Sequence, residues 1–227
     1  MPDLKKKNFY DEDYFKGKTR QSPPHTRELI YPVASRTATF LCFRCSPERV
    51  LDIGCAKGYL VEAFRSQGVR SVVGVDISMY AVSESEDEIR GRLIVADVQA
   101  GLPLYSATCD LVTALDLFEH LTDPRPVLKE IQRVLTDTGM AYLKICHPRH
   151  PNALRDPTHI NVRPLSYWKQ KFEQEGFAWQ RIYEAEFAQA KGVVERLKSL
   201  VRRLREWAVI GTPADYKFVI WKLPGGR

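Results

Sequence analysis

The segment from Arg49 to Tyr59 constrains the fold of this chain more than any other. It begins with a short apolar run that contains Asp52 and continues directly into the sequence Gly-Cys-Ala-Lys-Gly, which ends at Gly58. A short apolar run bounded by glycine predicts a buried strand, and the residues that follow have helical spacing. A strand, a glycine turn and a helix form the first half of a nucleotide-binding βαβ unit.

The spacing of the small residues argues against two common nucleotide ligands. Counted from Gly54, the dinucleotide pattern G-x-G-x-x-G fails, because Ala56 and Tyr59 take its second and third glycine positions. The chain also lacks the phosphate-loop pattern G-x-x-x-x-G-K-[ST]. The run Asp52-x-Gly54-x-Ala56-x-Gly58 instead resembles the first motif of the class I S-adenosylmethionine-dependent methyltransferases, which usually carry glycine where this chain has alanine.

Four more strand patterns follow in the order found in that family. Asp76 ends the second strand roughly 20 positions after Gly54, the offset at which a carboxylate accepts hydrogen bonds from ribose hydroxyls. In the resembled family the acid after the third strand lies beside the adenine, and the run after the fourth lies on the acceptor side of the cofactor. The four predicted strands cover Ser71–Asp76, Leu93–Asp97, Cys109–Asp116 and Met140–Ile145.

The resemblance implies an α/β fold with a Rossmann-like seven-stranded sheet flanked by helices, in which the sixth and seventh strands are antiparallel. It also implies S-adenosylmethionine as the cofactor and S-adenosylhomocysteine as the product. The cofactor-binding residues that it implies fall into five groups along the cofactor. They are Tyr14 of the arm; Asp52, Gly54, Cys55, Ala56, Gly58 and Tyr59 of the glycine loop; Asp76, Ile77 and Ser78 at the ribose; Asp97 and Val98 at the adenine; and Asp116, Leu117 and His120 at the methyl group.

We expect a single methyltransferase domain over residues 23–227, preceded by an arm over residues 1–22. The arm carries two aromatic pairs in a charged context, whereas a purely disordered tail has few aromatics. In many small-molecule methyltransferases a similar segment folds over the cofactor. Tyr14 and Phe15 are therefore candidate lid residues, with simple packing of the arm onto the domain as the alternative.

Several further elements complete the predicted sheet and its helices. Thr26 is the expected cap of the first long helix, and Pro32 should kink that helix or reset its start. Right-handed crossovers make the first five strands parallel, so the acids at their carboxyl ends share one edge of the sheet. These further elements are a helix over Thr26–Cys45, a turn over Thr136–Gly139, a helix over Leu165–Glu175, and strands over Phe177–Phe187 and Asp215–Leu223, the last inserted between its neighbours by the resemblance.

An insertion over about 188–209 separates the last two strands. Val194, Leu197, Val201 and Leu204 recur at three- and four-residue steps, and basic residues take much of the rest, which predicts a basic amphipathic helix. Such a helix covers an active site, contacts a partner, dimerises, lies on an anionic membrane surface or simply docks on its own domain. The sequence leaves these alternatives open.

Residues 146–164 form a long loop rich in His, Pro, Asn and Arg, and loops of this length are usually functional. A hydroxyl acceptor needs a base, for which histidine is the natural side chain. We predict His159 or His147 as the base, or as acceptor-binding groups. His120, which shapes the pocket in the resembled family, is a third catalytic candidate. The segment Asp156-Pro-Thr-His159 resembles one found in some methyltransferases of sugars and secondary metabolites.

The same loop supplies the candidate acceptor-binding residues. The forked donors of its arginines suit a carboxylate or a phosphate. Its histidines and Asp156 have the right donors for a metal ion, but their spacing is not a closed structural zinc pattern, so no metal is predicted. The predicted acceptor-binding residues are His147, Arg149, His150, Arg155 and His159.

Composition bounds the class of protein. The net charge of +6 on 227 residues fits an anionic acceptor, an acidic partner or a charged surface, or else only a solvated face. No apolar run approaches the roughly 20 residues of a membrane span, and the polar N-terminus does not resemble a signal peptide. The five scattered cysteines are expected to be reduced thiols of a cytoplasmic protein.

Together these features predict transfer of a methyl group from S-adenosylmethionine to an oxygen of a small molecule, sugar or secondary metabolite, with nitrogen as the second choice. Residues 115–118 lack the [N/D]-P-P-[Y/F] segment of many amino-group methyltransferases. No RNA-binding module is recognisable either, so nucleic acid is not the expected partner. The alternatives are an RNA or protein methyltransferase, and a non-catalytic scaffold that binds the cofactor.

Overall fold

The computed structural model describes residues 9–18, 24–150, 153, 155–183, 186 and 215–223, and the predicted basic helix over about 188–209 lies outside them. The helices, numbered along the chain, are α1 (Glu12–Phe15), α2 (Arg27–Cys45), α3 (Tyr59–Ser66), α4 (Met79–Ser83), α5 (Asp87–Arg90), α6 (Arg125–Val134) and α7 (Leu165–Gln174), with a 3-10 turn over Phe118–His120. The strands are β1 (Arg49–Ile53), β2 (Ser71–Asp76), β3 (Leu93–Val95), β4 (Cys109–Leu115), β5 (Leu135–Ile145), β6 (Phe177–Arg181) and β7 (Tyr216–Lys222).

The strands form one seven-stranded sheet in the order β3-β2-β1-β4-β5-β7-β6. Strands β1 to β5 are parallel to one another, and β7 runs antiparallel to both β5 and β6. This confirms the predicted sheet, including the insertion of the seventh strand, although β6 is shorter than predicted and ends at Arg181. The order of strands reverses between β1 and β4, which is where ligands bind in open α/β sheets.

Apolar side chains cover both faces of the sheet. Leu51 and Ile53 of β1 lie in the cluster that includes α6 and α7, whereas Val50 lies in the cluster that includes α2 and α3. Alternate residues of a strand point to opposite faces, so one strand supplies both clusters. The buried residues of α6 are spaced as a single helical face, namely Val127, Leu128, Ile131 and Val134.

Helix α2 rules out one of the two alternatives predicted for Pro32. It begins at Arg27 and continues through Pro32, so the proline does not reset its start. Proline removes only the hydrogen bond to the carbonyl of Glu28, and the remaining turns are held by burial of residues such as Leu41 against α3. Thr26 lies at the N-cap as predicted, although its side chain makes no capping hydrogen bond to the helix.

The predicted turn over Thr136–Gly139 is instead part of strand β5. Leu135 pairs with Cys109, but Met140 already pairs with Leu111, so β5 has extra residues opposite a single residue of β4. This is a bulge, in which the chain leaves the ladder and returns to it without ending the strand. The sequence correctly indicated an irregular backbone at residues 136–139, but the irregularity is a bulge within a strand and not a turn before it.

The described arm residues dock on the domain through α1. Asp11 caps this helix by accepting a hydrogen bond from the backbone N–H of Tyr14 (3.1 Å). Tyr14 and Phe15 are buried against Ala81 of α4. Within the described part of the chain, no helix has the length and apolar character needed to cross a membrane, and all five cysteines are free.

Candidate active site

The loop between β1 and α3 has an unusual backbone. Gly54, Ala56 and Gly58 have φ angles of +74°, +49° and +79°, in the left-handed region that favours glycine. A Cβ on Gly58 would lie 2.7 Å from Cδ1 of Ile89. The backbone N–H of Gly54 donates to the carbonyl of Val75 (2.8 Å), which ties the loop to β2. The predicted cofactor loop is thus a tight turn held at the crevice.

Asp76 lies beside this loop, at the end of β2. One carboxylate oxygen accepts from the N–H of Ala56 and the other from the N–H of Ser78, both at 2.8 Å. Burial raises the pKa of Asp76, and these backbone donors oppose that rise. Each oxygen keeps lone-pair capacity beyond its one backbone donor. The carboxylate is therefore fixed in orientation. It lines a cavity, where it can accept hydrogen bonds from the hydroxyl groups of a ligand.

Asp52 is a second buried acid on the cavity wall. Its Oδ1 accepts a hydrogen bond from the hydroxyl of Thr113 on β4 (2.7 Å). Burial raises the pKa of Asp52 to about 7, while the Thr113 hydroxyl lowers it and the nearby charge of Asp76 raises it further. Two buried carboxyl groups therefore lie close together on neighbouring strands, Asp52 near the end of β1 and Asp76 at the end of β2.

Aromatic side chains of the arm form one wall of the cavity. The ring of Tyr14 lies 5.1 Å from that of Tyr10 and 5.7 Å from that of His25, and Phe15 lies 5.0 Å from His25. Tyr10 also contacts His120, with ring centroids 5.9 Å apart. All five line the cavity. Burial raises the pKa of Tyr10 and lowers that of His25, so both side chains favour their neutral forms.

Charged groups line the end of the cavity beyond β4 and β5. The Nζ of Lys144 donates to both carboxylate oxygens of Asp116 (2.8 and 2.6 Å) and lies 3.3 Å from Oδ2 of Asp215. Burial alone would lower the pKa of Lys144, but the two carboxylates outweigh it and raise the pKa above the ordinary value. Asp116 has a φ of +53°, and a non-glycine residue in that region is a mark of functional sites.

Two histidines meet at the same end of the cavity. The ring centroids of His120 and His159 are 4.7 Å apart, with the planes at 70°. Burial and the neighbouring His159 lower the pKa of His120 to about 4, so this ring is neutral at physiological pH. The loop over residues 146–164 therefore folds back to bring His159 beside the segment that follows β4.

Glu119, next to this pair, was not predicted as a site residue. Its side chain is buried and lines the cavity. Burial, reinforced by the charge of Asp116, raises the pKa of Glu119 well above its ordinary value. Tyr10 and His25 were also missed. The arm's aromatic pairs gave a signal for Tyr10, whereas Glu119 and His25 had none beyond their proximity to predicted residues.

The cavity has a volume of about 410 Å³ and gathers most of the predicted residues. Gly58 and Ser78 lie behind its wall as supports. His147 does not line it: its ring packs on Tyr216 at 4.5 Å. Arg149 and Arg155 are exposed and do not line it either. The predicted residues on the wall are Tyr14, Asp52, Gly54, Cys55, Ala56, Tyr59, Asp76, Ile77, Asp97, Val98, Asp116, Leu117, His120, His150 and His159.

Comparison with known proteins agrees with this geometry. Residues 51–143 match the family described as a methyltransferase domain. The uncharacterized methyltransferase YcgJ of Bacillus subtilis (strain 168) is 30% identical over 153 residues, which are 59% of this chain and 58% of the relative. A ubiquinone biosynthesis O-methyltransferase of Pseudomonas aeruginosa (strain LESB58) is 32% identical over 114 residues, 47% of each chain. The chain thus spans about half the length of the curated relatives it matches.

Solved structures share the fold over nearly the whole chain. A SAM-dependent methyltransferase from Archaeoglobus fulgidus has a TM-score of 0.66 at 21% identity, covering 94% of this chain and 100% of that one. The plantazolicin methyltransferase BpumL, solved in complex with a monoazolic desmethylPZN analogue and SAH, also has a TM-score of 0.66, at 16% identity, covering 96% of this chain and 93% of that one. Fold, motif order and family match coincide: the chain has the fold of the class I S-adenosylmethionine-dependent methyltransferases, and its residues 51–143 match the methyltransferase domain family.

Proposed function

We propose that this protein is an enzyme that transfers the methyl group of S-adenosylmethionine to an oxygen of a small-molecule acceptor, with nitrogen as the second choice. One observation carries the proposal. The carboxylate of Asp76 lies on the cavity wall, beside a glycine loop at the switch point of the sheet. It is held in place by hydrogen bonds of 2.8 Å from two backbone N–H groups. That combination suits an adenosine whose ribose hydroxyls donate to the acid.

The reaction is an in-line displacement. A bond forms between the acceptor oxygen and the methyl carbon, the bond between that carbon and the sulfonium sulfur breaks, and the acceptor's proton is released. Alignment of the two reactants supplies much of the rate. In this proposal the acceptor hydroxyl lies at the end of the cavity where His120 and His159 meet, and their lone-pair nitrogens interact with it.

The size of the cavity fits a site for small molecules. A volume of about 410 Å³ falls within the roughly 300–1,000 Å³ typical of small-molecule sites. The aromatic arm around Tyr14 covers one side of the cavity, which fits the proposed role as a lid. Methyltransferases of ubiquinone biosynthesis and of plantazolicin among the similar proteins favour the same class of acceptor.

The remaining expectations belong to the same proposal. We propose that residues 23–227 are one catalytic domain with residues 1–22 as its arm, acting in the cytoplasm. The basic helix over about 188–209 is proposed as a contact for the acceptor, a partner or a second subunit. Arg149 and Arg155, although outside the cavity wall, remain candidates for the approach of an anionic acceptor.

Calorimetry tests the proposal. S-adenosylmethionine and S-adenosylhomocysteine are titrated into the wild type, into Asp76→Ala and into Asp87→Ala, a matched control whose side chain is 86% exposed on α5. Micromolar binding that is lost in Asp76→Ala and retained in Asp87→Ala is the expected result, and it leads to an acceptor screen with labelled methyl donor. Absence of binding in the wild type would refute the proposal.

A further inference from the structure

Three side chains at the acceptor end of the cavity form a cluster of metal-binding groups. Glu119, His120 and His159 each offer one ligand atom, and these atoms lie within 4.8 Å of one another. Glu119 and His120 come from the 3-10 turn after β4, whereas His159 comes from the loop after β5. Two imidazoles and one carboxylate on one side of a cavity are a known arrangement for divalent transition metals with open coordination positions.

Both histidines are oriented as metal ligands are. The Nδ1 of His120 lies 3.2 Å from the carbonyl oxygen of Thr158, and the Nδ1 of His159 lies 3.2 Å from that of Ala153. A carbonyl can only accept, so the proton of each neutral ring is on Nδ1, and Nε2 carries the lone pair. A histidine that binds a metal through one nitrogen and donates to a backbone carbonyl through the other shows this pattern.

The carboxylate of Glu119 supplies an independent observation. Oε1 accepts a hydrogen bond from the backbone N–H of Cys146 (3.2 Å). Oε2 is buried, and among the described residues no group hydrogen-bonds to it. Leaving such an atom without a partner costs roughly 1–3 kcal/mol, and more for a charged group. A cation between Glu119 and the two Nε2 atoms would supply the missing contact of Oε2.

A second cluster nearby is a weaker candidate. Cys146, His150 and Asp215 also place ligand atoms within 4.8 Å of one another. The carboxylate of Asp215 is already 3.3 Å from Nζ of Lys144. In the cluster with Glu119 the corresponding contact is longer, since Oδ2 of Asp156 lies 3.9 Å from Nε2 of His159.

We infer that Glu119, His120 and His159 bind one divalent transition-metal ion at the acceptor end of the cavity. Bonds of about 2.1 Å hold ligand atoms roughly 3.0–3.4 Å apart, so binding would draw the three side chains together by at most about 1.5 Å through rotation about side-chain bonds. Mixed imidazole and carboxylate ligands favour ions such as Zn²⁺, Mn²⁺ or Co²⁺ over Mg²⁺ or Ca²⁺, which prefer oxygen alone.

The ion gives the histidine pair a defined role in the proposed reaction. An acceptor hydroxyl in an open coordination position would lose its proton to water near neutral pH, because a bound cation stabilises the alkoxide. The alkoxide then attacks the methyl carbon, and sulfur leaves as a neutral thioether. This role rests on the proposed function, whereas the metal site itself does not.

The test uses Zn²⁺ alone, titrated by calorimetry into untagged, metal-free full-length protein without any cofactor. One ion per chain is expected. Glu119→Gln keeps the shape of the side chain and removes its charge, and it should weaken Zn²⁺ binding at least about tenfold, as should His159→Gln. His147→Gln is the matched control, since His147 lies outside the cluster, and it should bind Zn²⁺ like the wild type.

Other outcomes overturn the inference. Loss of Zn²⁺ binding in His150→Gln with retention in Glu119→Gln would assign the ion to the second cluster. Equal binding by all variants, or none by the wild type, would make Glu119 a buried structural acid. S-adenosylhomocysteine is titrated into the same variants as a measure of folding and of the cofactor site. If the wild type binds S-adenosylhomocysteine but not Zn²⁺, the metal site alone is overturned. If it binds Zn²⁺ but not S-adenosylhomocysteine, the proposed function alone is overturned.

Discussion

Lys217 lowers the free energy of unfolding by an amount that depends on pH. It lies on β7 with only 9% of its surface exposed, and it pairs directly with Lys144 across the antiparallel ladder of β5 and β7. Like charges in that position destabilise a sheet. Burial first, then Lys144 and Arg36, lower the pKa of Lys217 from 10.5 to about 7, against a smaller opposing effect of Asp116. We predict that Lys217→Met stabilises the protein at neutral pH.

The magnitude follows from the difference between the folded and unfolded pKa values. Between pH 7 and 10.5 the unfolded chain holds a proton at Lys217 that the folded chain has released, so the stability of the wild type rises with pH across this window. Each pKa unit corresponds to about 1.4 kcal/mol, which sets an upper limit of about 5 kcal/mol. Relaxation and water penetration reduce such penalties, and we expect roughly 2–3 kcal/mol for Lys217→Met at pH 7.

Urea unfolding at pH 7, 8, 9 and 10 measures the effect as the difference between variant and wild type. The advantage of Lys217→Met should be largest at pH 7 and shrink towards zero as the pH approaches 10. Lys217→Arg is the matched control, because arginine keeps its charge throughout this range, so its stability relative to Lys217→Met should not vary with pH. A constant difference between Lys217→Met and the wild type at all four pH values would refute the reasoning.

The cofactor loop and the arm give three more predictions. Gly58→Ala forces a side chain into a left-handed position against the apolar core, and it should cost at least about 2 kcal/mol in urea unfolding, whereas Gly91→Ala, with open space around its Cβ position, should change stability by less than about 0.5 kcal/mol. Ala56→Gly relieves the left-handed φ of +49° and should raise stability by up to about 1 kcal/mol; a loss of stability would contradict that strain. Phe15→Ala, which unpacks a 4% exposed ring, should weaken S-adenosylhomocysteine binding about tenfold by calorimetry, while Phe9→Ala, 57% exposed, should leave the affinity unchanged.

The sequence was sufficient to predict the sheet and the position of Asp76 beside the glycine loop. Each of the first five strands is indicated by a short apolar run with an acid or a glycine at one of its ends, and such patterns depend only on residues close in the chain. The offset between Gly54 and Asp76 is equally local, because one βαβ unit contains both. In the structure the glycine loop and Asp76 are joined by the hydrogen bond from the N–H of Ala56 to the Asp76 carboxylate.

Contacts between distant segments were beyond the same reasoning. The bulge of β5 depends on pairing with β4, where Leu135 and Met140 take neighbouring partners, and nothing within residues 136–139 distinguishes a bulge from a turn. His25 lies on the cavity wall because the start of α2 packs on Phe15 of the arm. Its own neighbours in the chain carry no pattern that indicates a site.

The histidine pair shows how a backbone connection decides which loop residues reach the site. Asn161 is buried, and its backbone N–H donates to the carbonyl of Glu119 (2.8 Å) while its side chain donates to that of Phe118 (3.4 Å). These bonds fasten the end of the long loop to the 3-10 turn after β4, so His159, two residues earlier, must lie beside His120. His147, at the start of the loop, is fixed instead against Tyr216 of β7. Of the two loop histidines that the sequence proposed as the base or as acceptor-binding groups, His159 therefore reaches the cavity wall and His147 does not.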